Sequence, residues 1–159
     1  MPRSLLLNNA ILMLCCSIYL GTGVSLVFFQ LPIEPQLDPG NFHLVFSTPV
    51  HLATQFFTWM TAVMLVTGAI MLLGEWFSGI RWVPVIVLLA VFAATALTIL
   101  CIFDVNAQLE AGVSDPTEFK RLLHDWVRYN QIRSGIWAVE WLAMMVWFYR
   151  LASDARSDR

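Results

Sequence analysis

Charged side chains are spaced along this chain so that three long gaps remain. None lies between Arg3 and Glu34, between Asp38 and Glu75, or between Arg81 and Asp104. An ionised side chain costs about 2.5–3.5 kcal/mol at the centre of a bilayer on the most lenient scale. Gaps longer than the ~20 residues that cross ~30 Å of hydrocarbon therefore predict transmembrane helices. The expected spans are Ile11–Phe29, His51–Leu73 and Trp82–Phe103. A fourth, Ser134–Leu151, is interrupted by Glu140, but Trp137, Trp141, Met144, Met145, Trp147, Phe148 and Tyr149 make it dense enough in apolar and aromatic groups for a short or tilted span.

The connections carry a different signal. Residues 30–48 hold Pro32, Pro35, Pro39 and Gly40, a composition of turns and extended segments. The third helix is expected to run on to Glu110–Ala111 and stop at Gly112. Asp115-Pro116-Thr117-Glu118 then reads as an N-cap, a proline at the first helical position and a capping acid two residues later. The fourth helix thus starts well before its apolar part. The N-terminus resembles a signal peptide in its Arg3 and its small residues Gly21, Thr22 and Gly23, yet the apolar run continues through Val24–Phe29, which suits a retained helix.

Composition agrees with the pattern. Of 159 residues 58% are hydrophobic and 13% charged, with a mean hydropathy of +0.70, which excludes a water-soluble globule. Nine Lys and Arg against eleven Asp and Glu leave a net charge of −2 with no basic run, so nucleic acid is not a partner. Cys15, Cys16 and Cys101 form neither a disulfide framework nor a zinc-ligand spacing. The location of positive charge sets the orientation: Arg3, Arg81, Arg150, Arg156 and Arg159 fall on one side, and the other carries Lys120, Arg121 and Arg128 among more acids. The expected fold is all-α and integral to the membrane, a single domain over residues 1–159. It is an up-down four-transmembrane-helix bundle with an external helical extension of the third and fourth helices. The expected location is the cytoplasmic membrane of a bacterium, with both termini cytoplasmic.

Polar residues inside such a bundle face one another, because lipid satisfies no hydrogen bond. On the second span His51, Thr54, Gln55, Thr58 and Thr61 make one stripe, either helix–helix glue or the wall of a cavity. On the fourth, Trp126, Asn130, Arg133, Trp137, Glu140 and Met144 share a face within about 40° at 3.6 residues per turn. Arg133 either snorkels to phosphates or anchors an inward network. Glu140, seven residues and about 10 Å deeper, either keeps its proton or meets hydroxyls of Tyr19, Thr22, Thr58 or Thr61. His51, Asp104 and His124 converge on the external half as a conceivable two-histidine, one-carboxylate set; metal ligation, haem ligation and plain hydrogen bonding are all open to the histidines, His43 being placed in a loop. The sequence requires no metal or other cofactor. Ser17, Gly21 and Ser25, like Ala90 and Ala94, are small residues spaced for close helix approach, and Trp76, Trp82, Trp147 and Tyr149 suit the interfacial aromatic belt.

The pattern Trp126-x3-Asn130-x2-Arg133 opening a last transmembrane helix after a helical hairpin resembles the anthrone-oxygenase-like family of small four-helix membrane proteins, with Gly21, Gly23 and the Pro49–His51 entry in support. The resemblance implies an oxygenase or oxidoreductase acting on a hydrophobic aromatic or quinone-like molecule in an outer-leaflet pocket. Asn130 and Arg133 would hold a phenolate or enolate oxygen, and His51 or His124 would be the base. Gln55, Thr58, Trp126, Trp137 and Glu140 are the expected substrate-binding residues. The other readings are an accessory subunit of a larger membrane complex, whose polar residues pair off and leave no cavity, and a lipid- or quinone-binding protein without chemistry.

The orientation is open to thiol labelling from outside intact cells. Gly40→Cys and Val113→Cys are expected to react with an impermeant reagent and Ser78→Cys to be protected; the reverse pattern would invert the topology.

Overall fold

The structure, a computed structural model, describes residues 2–41 and 47–157; for residues 47–49, 51 and 154–157 it describes the backbone alone. The described chain is helical, without a strand among the described residues. Helix α1 (Arg3–Ser25) passes through a π turn at Leu26–Gln30 into a 3-10 turn at Leu31–Gln36. Helix α2 is Ser47–Glu75 and α3 is Trp82–Leu97; a second π turn, Thr98–Ile102, joins α3 to α4 (Phe103–Glu110) in one rod, and α5 is Pro116–Ser157. Three stretches, Arg3–Gln36, Leu52–Glu75 and Trp82–Glu110, are long and apolar enough to cross a membrane.

The turn between α4 and α5 follows its sequence signals. Gly112 takes φ +86°, the left-handed conformation that ends the helix without a Cβ clash. Asp115 Oδ1 accepts the Thr117 amide at 2.9 Å, with Pro116 at the position where no amide hydrogen is needed. Glu118 departs from the expected cap: it binds Arg121, at 2.6 Å and 2.9 Å, and Arg121 reaches on to Asp125 at 3.0 Å. That hydrogen bond to the guanidinium holds the Glu118 carboxyl below the usual range. Residues 31–36 also depart from the turn-and-extended expectation. Pro32 falls in the first turn of a 3-10 segment, where its missing amide hydrogen is tolerated.

The helices meet along a buried seam that includes Leu12, Cys16, Met64, Met71, Val87, Met144 and Trp147. Specific contacts set the register. Asn8 Nδ2 donates to the Thr67 carbonyl at 2.9 Å, Trp141 Nε1 to Ser17 Oγ at 3.2 Å, and Trp147 Nε1 to Glu75 Oε1 at 3.0 Å. Trp147, 1% exposed, is therefore a buried partner of an acid and not a member of an interfacial belt, whereas Trp76, Trp82 and Tyr149 do reach the surface. At the other end, Val105, Leu109, Phe119, Leu122 and Leu123 form a second cluster that ties α4 to α5.

Close approach is made by a different glycine from the one that spacing suggests. A Cβ on Gly21 meets nothing within 4 Å, whereas one on Gly23 meets Ser134 Oγ and Trp137 Cε3, both at 3.0 Å. The face of α1 that meets α5 is the Gly23 face. Gly21→Ala is accordingly expected to be neutral or to stabilise by about 0.5–1 kcal/mol, the ordinary helix-interior gain over glycine. Gly23→Leu is expected to cost about 1–3 kcal/mol by overpacking. Unfolding titrations of both purified variants in detergent check the contrast.

Candidate functional site

Between the helices, at the end that carries the α4–α5 hairpin, lies a cavity of about 520 Å³, the size of a small-molecule site. Its walls are mainly apolar: Leu26 and Leu31 after α1, Phe57 and Met64 on α2, Val91, Ala94, Ile99 and Ile102 on the α3–α4 rod, and Trp126, Val127 and Trp137 on α5. Both π turns contribute to the lining, through Leu26 and Gln30 on one side and Thr98, Ile99 and Ile102 on the other. A π turn inserts one residue into the helical repeat and so shifts the side chains that follow, which is why such turns recur where a helix lines a site.

Arg133 is the polar centre of the wall. Its Nη1 donates to Thr98 Oγ1 at 3.2 Å, its Nη2 donates to Asn130 Oδ1, and its guanidinium lies 4.8 Å from the Trp137 ring centroid. Asn130, fully buried, spends its amide donor on the Trp126 carbonyl at 2.8 Å. It therefore acts as a bracket that orients Arg133 from one turn before. Arg133 forms no ion pair among the described residues, and its Nε has no hydrogen-bond partner. A guanidinium with no carboxylate among the described residues and two of its five N–H donors engaged, beside an apolar cavity, is a ready acceptor-binding group.

Below it an aromatic cluster lines the cavity. Tyr19 lies edge-on to Trp137 at 4.9 Å and 4.7 Å from Phe57, and Phe57 stacks on Trp137 at 6.2 Å and 22°. The Tyr19 hydroxyl sits 2.7 Å from Thr61 Oγ1 and 2.9 Å from the Phe57 carbonyl. Glu140 lines the same cavity with 1% exposure. The hydroxyls expected to serve it bond elsewhere: Thr22 to the Ile18 carbonyl, Thr58 to that of Thr54, Thr61 to that of Phe57, and Tyr19 as above. Glu140 Oε2 is left without a partner.

The remaining expected site residues divide. Thr58, Trp126, Trp137, Asn130, Arg133 and Glu140 all line the cavity. Gln55 does not: it is exposed, about 60–120° around α2 from the lining residues Thr54, Thr58 and Thr61, on the edge of their stripe that turns away from the cavity. His124 does not either, its side chain being 72% exposed with Nδ1 3.7 Å from Glu34 Oε1 at the cavity mouth. The His51 side chain and His43 lie outside the described residues. Asp104 accepts from Gln108 Nε2 at 2.8 Å, and among the described residues no three His, Cys, Asp or Glu come together as metal ligands. Thr98 escaped the sequence reading because one threonine in an apolar span carries no signal until the π turn aims it at Arg133. Compared with known protein families, curated proteins and solved structures, the chain matches none.

The unpartnered Oε2 reverses the stability effect of removing Glu140. With no protein hydroxyl to abandon, Glu140→Met is expected to stabilise the ligand-free protein by roughly 1–3 kcal/mol, since an apolar side chain of similar volume replaces an unsatisfied carboxyl. Glu140→Gln is expected to stay near wild type. Thermal unfolding of the two variants in the same detergent distinguishes this from a hidden partner, for which Glu140→Met would destabilise.

Proposed function

We propose that the protein is an integral membrane protein whose cavity, in the outer leaflet, binds a hydrophobic aromatic or quinone-like molecule through an oxygen held by Arg133. The unpaired guanidinium in an apolar, small-molecule-sized cavity carries this reading. In a purely structural subunit the polar residues would pair off, and Arg133 has no acid within ion-pair distance among the described residues. The bilayer is the medium from which such a molecule enters.

The finer membrane topology belongs to the same proposal. All four helices cross, in an up-down bundle with both termini cytoplasmic. Asn8 with Thr67 and Tyr19 with Phe57 support opposite directions for α1 and α2, and Ser17 with Trp141 and Gly23 against Trp137 do so for α1 and α5, because residue numbers rise along one partner as they fall along the other. Helix α5, at 42 residues, is about 63 Å long at 1.5 Å per residue. It therefore has length to cross ~30 Å of hydrocarbon and still carry the hairpin outside.

The reaction implied by the resemblance is oxidation of a ring methylene by dioxygen, CH2 + O2 giving C=O and H2O. Arg133 would stabilise the electron-rich oxygen of the enolate from which electrons leave, and Asn130 would hold Arg133 in place. Among the described residues the titratable side chains that line the cavity are Tyr19, Glu34, Arg133 and Glu140, so His124 is not the base in this proposal.

Mild detergent extraction followed by absorbance and mass spectrometry is expected to find an aromatic or quinone-like molecule with wild-type protein, about tenfold less with Arg133→Lys, and none above background with Arg133→Leu. Equal recovery from all three folded proteins would leave Arg133 a snorkelling residue and end the proposal.

A further inference from the structure

We propose that the cavity recognises its ligand at two ends: Arg133 holds an acceptor oxygen, and Glu140 holds a hydroxyl group at the far end of the same flat body. This rests on the aromatic-ligand reading above and adds a second polar anchor to it.

Two polar atoms on residues that line one cavity lack partners, the donor Nε of Arg133 and the acceptor Oε2 of Glu140. Buried polar groups in folded proteins are hydrogen-bonded with few exceptions, and each exception calls for a cause. One cause serves both here. The two residues are seven apart on α5, which places them about 10 Å apart along the axis and about 20° apart around it. They lie one above the other on a single face. Between those levels Phe57 and Trp137 line the cavity, aromatic side chains whose exposed edges give an apolar wall for a ring system.

The chemistry at the deep end selects a hydroxyl. A ligand carbonyl offers no hydrogen and serves the carboxyl only while that keeps its proton, and a ligand ammonium would bring a second cation into a cavity that already holds Arg133. A hydroxyl both donates and accepts, so it satisfies the carboxyl with or without its proton. Tyr19, Thr22, Thr58 and Thr61 leave that role open, since their own hydroxyls are engaged with carbonyls or with each other. The ligand is thus an amphiphile with oxygen at both ends, and a hydrocarbon of the same shape is a poor substitute.

Equilibrium dialysis of the full-length protein in detergent tests this with naphthalene, 2-naphthol and 2,6-dihydroxynaphthalene. In wild type each added hydroxyl is expected to tighten binding about tenfold. In Glu140→Met, shown to be folded by its melting curve, the diol is expected to bind no tighter than 2-naphthol, and Glu140→Gln is expected to keep most of the gain. A diol that binds wild type no better than 2-naphthol overturns the two-ended site and leaves the aromatic-ligand reading standing, as does a full diol gain in Glu140→Met. If none of the three binds wild type, the aromatic-ligand reading falls and this inference with it. Should Glu140→Met fail to fold, the wild-type ladder and Glu140→Gln decide, and loss of the diol gain from the ladder is the overturning result.

Discussion

The arrangement of this protein depends on how a guanidinium is kept among apolar helices with no acid among the described residues to neutralise it. Arg133 is held by a threonine from the α3–α4 rod, by an asparagine one turn earlier on its own helix and by the face of Trp137. Each contact is a dipole or a π face, and none is a charge. Such contacts orient a cation without an ion pair, so its remaining donors stay open to a partner in a mainly apolar wall. A carboxylate in the same place would have taken those donors and filled part of the space.

The same economy runs through the other polar side chains. The threonines of α2 and α3 return their hydrogens to carbonyls one turn back, as Thr54 does to Val50, Thr67 to Val63 and Thr95 to Val91. That is the local satisfaction available to Thr in a helix, and it needs no neighbour. Bonds between helices are fewer and fall at defined levels: Tyr19 with Phe57 and Thr61, Ser17 with Trp141, Asn8 with Thr67, Glu75 with Trp147. Against that background an unpartnered carboxyl at Glu140 stands out. Glu75, the other buried acid among the described residues, shows the alternative, because an indole donor from α5 reaches it at the end away from the α4–α5 hairpin.

Helical irregularity and the cavity meet at one level of the fold. The π turns after α1 and after α3 both line the cavity, and the second carries Thr98 to Arg133. The hairpin of α4 and α5 sits at the same end, with Leu123, Trp126 and Val127 of α5 in the lining. Its outer surface is polar, and its inner cluster of Val105, Leu109, Phe119 and Leu122 is apolar. A helix pair that begins before the apolar segment thereby supplies walls to a cavity that the apolar segments alone would leave shallower.

Charge gaps and helix signals were enough, from the sequence, for the three long apolar helices, for the stop at Gly112 and for the start at Pro116, because each rests on a local property of the chain: hydropathy, a left-handed residue, a capping side chain. The face of α5 carrying Trp126, Asn130, Arg133, Trp137 and Glu140 was legible for the same reason, since residues on one helix keep their periodicity whatever surrounds them. What those residues touch was decided by the tertiary structure. Periodicity placed Gln55 in the stripe, but the rotation of α2 against its neighbours turned it outward. Spacing favoured Gly21, and packing chose Gly23. Hydroxyls on α1 and α2 were near enough in sequence terms to serve Glu140, yet each found a closer carbonyl. Proximity across helices depends on rotation and depth of one rod against another, and that rotation, which no local pattern encodes, separates a cavity-facing side chain from an outward-facing one.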